Sequence, residues 1–231
     1  MDQINIIPLS NLMLGFIPVA VLILIMRFWG LNITNSLYAN SRMLIQLLLI
    51  GYVLTYIFET DQPMIIALVV FFMIFMSAWI AMRPLKEKGI YSFILIFLSL
   101  ALSGLAVLFL ISQYIVELPR WFEPSFIVPI AGMIFANSMN IVSLAGERFF
   151  VEKDRGENYE NSRRIALETA LIPLINALFA VGLVSLPGMM TGQILSGIEP
   201  LMAARYQIMV MCMMFSTAGL SAVTYMSFKK Y

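Results

Sequence analysis

Charged residues in this chain fall in clusters, and seven long stretches between the clusters carry none. The uncharged runs are 24 residues between Asp2 and Arg27, 16 between Arg42 and Glu59, 21 between Asp61 and Arg83, and 28 between Lys88 and Glu117. Three more follow: 23 between Glu123 and Glu147, 30 between Glu168 and Glu199, and 23 between Arg205 and Lys229. A bilayer core about 30 Å thick takes ~20 helical residues at roughly 1.5 Å each. Each run can cross it, the second once Arg42 reaches back to the surface with its long side chain. The runs are continuously apolar rather than alternating, which selects helices over a transmembrane barrel. The pattern predicts an all-α integral membrane protein with seven transmembrane helices, built as a single domain over 1–231.

Lysine and arginine set the orientation, because cytoplasmic loops retain them. Taking alternate segments between runs, one side holds twelve basic residues: Arg27, Arg42, Arg83, Lys86, Lys88, Arg148, Lys153, Arg155, Arg163, Arg164, Lys229 and Lys230. The other side holds two, Arg120 and Arg205. The N-terminus is therefore expected outside and the C-terminus in the cytoplasm. The first run lacks a basic flank and exceeds a signal-peptide core in length, so it is expected to remain as a span. Asn32-Ile33-Thr34 matches a glycosylation acceptor, but this topology puts it on the cytoplasmic side.

Composition agrees with the pattern and removes most chemistry. The 231 residues are 61% apolar and 12% charged, against roughly 45–50% and about 25% in an average soluble domain. A net charge of +1 leaves no basic face for nucleic acid. Histidine is absent, which removes histidine-based triads, HExxH zinc sites and histidine proton relays together. Cys212 stands alone, so there is no internal disulfide and no multi-cysteine metal site. No GxxxxGK[ST] phosphate loop occurs, so any ATP must be bound by a partner. The chain is expected to carry no catalytic residue, no metal ligand set and no cofactor of its own.

Four features interrupt the apolar background. The segment 147–164 holds ten charges in eighteen residues. It reads as a solvated cytoplasmic loop or as a docking surface, with Phe149 and Phe150 as apolar anchors ringed by charge. In the fifth run Asn137, Ser138, Asn140 and Ser143 lie close together, with Asn137 and Asn140 three apart on one helix face. Amides there either tie helices together or line a polar path, and the sequence leaves both open. Ser185-Leu186-Pro187-Gly188-Met189-Met190-Thr191-Gly192-Gln193 breaks the sixth run, as a re-entrant turn or an outer loop. Its Gly188 and Gly192 match GxxxG, a weak dimerisation signal in a broken segment. Met209, Met211, Cys212, Met213 and Met214 would suit a soft cation, but they point around their helix, which favours packing.

The second half is more specific. AGMIFANSMNIVSLAGER (131–148), ALETALIPLIN (166–176), GLVSLPGMMTGQILSG (182–197) and EPLMAARYQIMVM (199–211) resemble the FetB/YbbM family of ABC-transporter permeases, which includes bacterial putative iron exporters and the plant aluminium-sensitivity permease. The resemblance is carried by about 131–211; the earlier part matches in hydropathy and span count. It implies a permease of the bacterial inner (plasma) membrane that forms a homodimer and works with a separate ABC ATPase subunit. It implies signature positions at Asn137, Asn140, Asn176, Pro187, Gly188, Met189, Met190, Thr191, Gly192 and Gln193. It also places Glu147, Arg148, Phe149, Phe150 and Arg155 at the start of a cytoplasmic coupling loop, 147–164. Here the chain departs from the family, which carries a longer Leu-Gly-Ala-containing stretch after Glu-Arg, so docking is expected to be altered, to use another surface, or to be lost.

Taken together, the expected function is export of iron or another metal-related solute by a permease that a partner ATPase powers. The alternatives are a stand-alone channel or secondary transporter, and a membrane assembly protein that transports nothing. Secondary transport ordinarily needs an ionisable residue at mid-membrane, and the runs contain none. For the same reason no cluster of hard ligands lies within a run to hold iron.

Overall fold

The computed structural model describes residues 8–229. Lys230 and the first seven residues, on which part of the expected orientation rests, lie outside that range. The described chain is helical throughout, apart from one isolated bridge between Val181 and Ser185. It divides into two units, one ending at Glu59 and one beginning at Thr60.

The first unit contains α1 (Leu9–Leu14), α2 (Phe16–Phe28) and α3 (Thr34–Phe58). Asn32 is a turn residue, its Oδ1 accepting from the Thr34 N–H at 2.9 Å as α3 begins. The α3 helix takes in Arg42 and starts well ahead of the uncharged run, which resolves the shortness of that run. No side chain of α2 is buried, and on α3 Leu48 and Tyr52 are 72% and 83% exposed. Apolar surface left open along whole helices fits a hydrocarbon surround, where it costs nothing.

The second unit contains α4 (Pro63–Ala81), α5 (Ile90–Leu110) with a π-helical turn at Ile111–Ile115, α6 (Pro124–Asp154), α7 (Tyr159–Ala180), α8 (Gly188–Leu195) and α9 (Pro200–Phe228). Proline opens α4, α6 and α9, at the position where its missing N–H is not needed and its φ is already helical. The axis of the unit is α6, which packs against α4, α5, α7 and α9. Small residues make that possible. Ala131, Ser138, Ala145 and Gly146 of α6 are buried, as are Ala218, Ser221 and Ala222 of α9 and Ser99, Ser103 and Gly104 of α5. Small side chains let helix backbones approach where lipid supplies no hydrophobic drive between them. At Gly104 a Cβ would overlap the Phe135 ring and lie 3.1 Å from Ile134 Cγ2.

Among the described residues six helical stretches are long and apolar enough to cross a membrane: Ser10–Phe28, Thr34–Phe58, Pro63–Ala81, Ile90–Ile115, Pro124–Asp154 and Pro200–Phe228. The remaining long helix, α7, has 22 residues but carries Glu160, Arg163, Arg164 and Glu168 in its first half. It begins upstream of the sixth uncharged run and stops at Ala180, ahead of Pro187. There the Val184 and Ser185 N–H groups both turn back to the Ala180 carbonyl, at 2.8 and 3.1 Å. Pro187 then caps α8. The sixth run is thus interrupted, as expected, by a turn over 181–187, and the Pro-Gly pair then starts a short helix, because proline suits a first turn better than an interior.

A second correction concerns 147–164, which is not a loop. The α6 helix continues to Asp154 and closes with paired bonds, Glu157 N–H to the Glu152 carbonyl at 3.1 Å and Gly156 N–H to Lys153 at 3.0 Å. Gly156 has φ +90°, the left-handed conformation that this helix stop requires. Asn158 then caps α7, its side chain accepting from the Asn161 N–H at 2.8 Å. The charged segment is a tight helical hairpin, and its charges lie mostly on helix surfaces.

Candidate functional site

The polar positions of the fifth run do different work. Ser143 donates to the Ala81 carbonyl at 2.9 Å and so ties α6 to α4. Asn137 donates through Nδ2 to the Met214 carbonyl at 3.0 Å and ties α6 to α9. Ser138 is buried, with no partner for its Oγ. Asn140 is exposed and makes no side-chain hydrogen bond among the described residues. Glue and lining are thus both present on one helix: Asn137 and Ser143 serve as both, and Asn140 as lining alone.

Asn137 and Asn140 face two adjoining cavities. One, of about 480 Å³, lies between α6 and α7 and includes Ser143, Pro173 and Leu174. The other, of about 500 Å³, brings α6, α7, α8 and α9 together. Its wall adds Pro187, Gly188 and Met189 from the start of α8, and Gln207 from α9. No charged side chain lines either cavity. Of the positions expected from the sequence, Asn137, Asn140, Pro187, Gly188 and Met189 are therefore brought together. Asn176 is exposed on α7, and Met190, Thr191, Gly192 and Gln193 lie along α8 outside the cavity wall. Thr191 Oγ1 reaches the Leu186 carbonyl at 3.4 Å, a local bond within the turn. A Cβ on Gly188 or Gly192 would meet nothing within 4 Å, so neither glycine serves a close helix approach within the chain.

Gln207 is the residue that the sequence reading missed. It is 5% exposed, and its Oε1 has no hydrogen-bond partner. The available signal was an amide inside an apolar span, obscured because Arg205 nearby draws that part of α9 toward the helix end. An amide oxygen left without a protein partner is unusual when buried, and this one lies on the wall of the larger cavity.

The hairpin of α6 and α7 differs from the expected docking loop. Phe149 and Phe150 are 0% and 5% exposed, so they are not surface anchors. Phe149 packs edge-on to Tyr159, with centroids 5.9 Å apart, and the Tyr159 hydroxyl donates to the Met226 carbonyl of α9 at 2.7 Å. Phe150 lies under the Lys229 ammonium at 5.3 Å, and Lys229 also bonds Glu87 at 2.6 Å and Ser92 at 3.1 Å. Adjacent aromatics at the end of a long helix are buried because α9 and the 83–89 turn close over them. Glu152 is buried too, and is satisfied by Arg148 at 2.6 Å and Arg155 at 3.0 Å. Lys86 pairs with Asp154. The exposed part of the set is Glu147 and Arg155.

Comparison with known proteins fits this arrangement. The model of a family described as "Uncharacterised protein family (UPF0014)" matches residues 9–161 and 153–231. The chain belongs to the UPF0014 family. The likeness is not confined to 131–211, as the motifs alone suggested, but takes in the amino-terminal helices as well. The "Probable iron export permease protein FetB" of Escherichia coli is 36% identical over 96% of this chain and 91% of its own length. The "UPF0014 membrane protein slr1647" of Synechocystis is 35% identical over 95% and 91%. The plant "Protein ALUMINUM SENSITIVE 3" of Arabidopsis thaliana is 29% identical over 89% and 81%. No solved structure matches. With its apolar helices and these relatives, this UPF0014 chain is a multi-pass protein of the bacterial inner membrane.

Proposed function

We propose that the chain is the membrane-spanning permease subunit of an ABC transporter, exporting iron or another metal-related solute by alternating access. The observation that carries this reading is the uncharged, mostly apolar cavity among α6, α7, α8 and α9, with the amides Asn137, Asn140 and Gln207 on its wall and no partner among the described residues for the Gln207 oxygen. A protein that only held helices together would have no use for such a cavity. The name of the Escherichia coli relative, a probable iron export permease, supports the export direction. In this reading α7 is the seventh span, its charged first half at the cytoplasmic surface, with the N-terminus outside and the C-terminus inside. The chain does no covalent chemistry and holds no cofactor. ATP is hydrolysed by a separate ABC ATPase, and two copies of the permease form the membrane part. The test is co-purification with a candidate ABC ATPase, followed by ATP hydrolysis in vesicles with metal ions and metabolites added one at a time. Stimulated hydrolysis by at least one solute is expected; failure of any ATPase to associate would overturn the reading.

A further inference from the structure

The larger cavity is unusual in a second respect. Four of the fifteen residues lining it are methionines, in a chain with eighteen methionines among 231 residues. Met133 comes from α6, Met189 from α8, and Met211 and Met214 from one face of α9. Two larger cavities against α5, of about 710 and 880 Å³, have no methionine in their walls. If methionine served here only to fill irregular gaps, those cavities should share it. Along α9 the methionines do point in several directions, as their spacing requires, but Met211 and Met214 share one cavity wall with methionines of two other helices.

Resting on the reading of this cavity as the transport path, we propose that its cargo site takes a soft monovalent cation, Cu(I) or Ag(I), on thioether sulfurs. The donor set on the page selects that class. Thioethers prefer soft d¹⁰ cations, whereas divalent and trivalent hard ions call for carboxylate oxygens. No such group lines the wall, and no cluster of His, Cys, Asp or Glu able to hold a metal occurs among the described residues. A cation of single charge is also the one that a wall of neutral dipoles can hold, because the cost of desolvation rises steeply with charge. The unpartnered Oε1 of Gln207 supplies a negative dipole end at the same wall.

The test uses the full-length permease in detergent without any ATPase, with Cys212→Ser as background because that exposed thiol would itself bind Cu(I). Cu(I) is titrated in competition with bicinchoninate. One ion per chain is expected, with affinity falling at least about tenfold, as for loss of metal-site groups generally, in Met189→Leu/Met211→Leu/Met214→Leu. Replacing the exposed Met13, Met64 and Met202 by Leu should change nothing, and excess Fe(II) should not compete. Leucine conserves volume at these sites. Should the triple variant fail to fold, methyl-¹³C methionine spectra of the Cys212→Ser protein provide the second readout, with Ag(I) shifting the lining methyls selectively. Absent Cu(I) binding, binding that survives the lining substitutions, displacement by Fe(II), or unselective shifts would each overturn the proposal. Because no ATPase is present, failure here is distinct from failure of the transporter reading, which would show as absent ATPase association.

Discussion

At the scale of single residues, the two asparagines of α6 separate a structural role from a transport role. Asn137 makes one interhelical bond, to the Met214 carbonyl, and such bonds in membranes average about 0.6 kcal/mol. Asn140 makes none among the described residues, so its loss should leave folding untouched. Asn137→Leu and Asn140→Leu are therefore expected to melt within a few degrees of the parent while abolishing export or stimulated hydrolysis; normal transport by both would reduce them to helix contacts. Gly104 is the opposite case, outside the cavity lining and a matter of packing. A methyl there must displace the buried ring of Phe135, and overpacking of this kind costs about 1–3 kcal/mol. Gly104→Ala should lower the thermal midpoint in detergent, with residual transport tracking the folded fraction.

At the scale of elements, the α6–α7 hairpin shows what periodicity reads well and what it does not. Phe149→Ala with Phe150→Ala is expected to destabilise the fold, since each buried Phe→Ala costs about 3–5 kcal/mol. Loss of ATPase association in that variant would follow from unfolding rather than from a missing anchor. The residues positioned to test docking are Glu147 and Arg155, both exposed. Glu147→Ala should melt near the parent yet weaken ATPase binding in a pull-down, whereas Arg155→Ala also takes a partner from the buried Glu152 carboxylate and should lower the melting point; unchanged binding in Glu147→Ala would move the contact elsewhere, such as the 83–88 turn. Helix starts were legible where proline marks them, as at Pro63, Pro124 and Pro200. Five of the seven uncharged runs correspond to one long helix each, whereas the first is shared by α1 and α2 and the sixth by α7 and α8. The helix ends were not legible from charge, because a membrane helix runs on past the bilayer as long as its exposed turns are solvated, as α6 does to Asp154. Nor could one-dimensional spacing reveal that Phe149 and Phe150 are covered, since Tyr159, Met226 and Lys229 meet them only through the tertiary fold. The same holds for the cavity: Asn137 and Asn140 stood out as amides in an apolar run, whereas Gln207 and the lining methionines acquire meaning only once α6, α8 and α9 come together.

At the scale of the whole molecule, the number of crossings turns on α7. Its length of 22 residues gives about 33 Å at 1.5 Å per residue, enough for a hydrocarbon core of about 30 Å. Its first half, however, carries charge of both signs. If α7 crosses, Arg163 and Arg164 extend to the cytoplasmic surface while residues from Thr169 to Ala180 occupy the core, and the exposed turn at Leu183 and Val184 emerges outside. If it does not cross, α9 must run the other way, and Lys229 would leave the side that holds Glu87. That ion pair is present at 2.6 Å, with Lys86 and Asp154 paired in the same region. The segments before α5, after α6 and after α9 therefore lie together, and on the proposed seven-span reading that shared end is the cytoplasmic one, where the basic residues are expected. Reporter fusions after Lys88, after Arg164 and at Tyr231 are therefore expected to read cytoplasmic, and one after Gln62 to read external. An external signal at Tyr231 with a cytoplasmic one at Lys88 would break the shared side and remove α7 from the spans, while a cytoplasmic signal at Gln62 would sink the seven-span topology altogether.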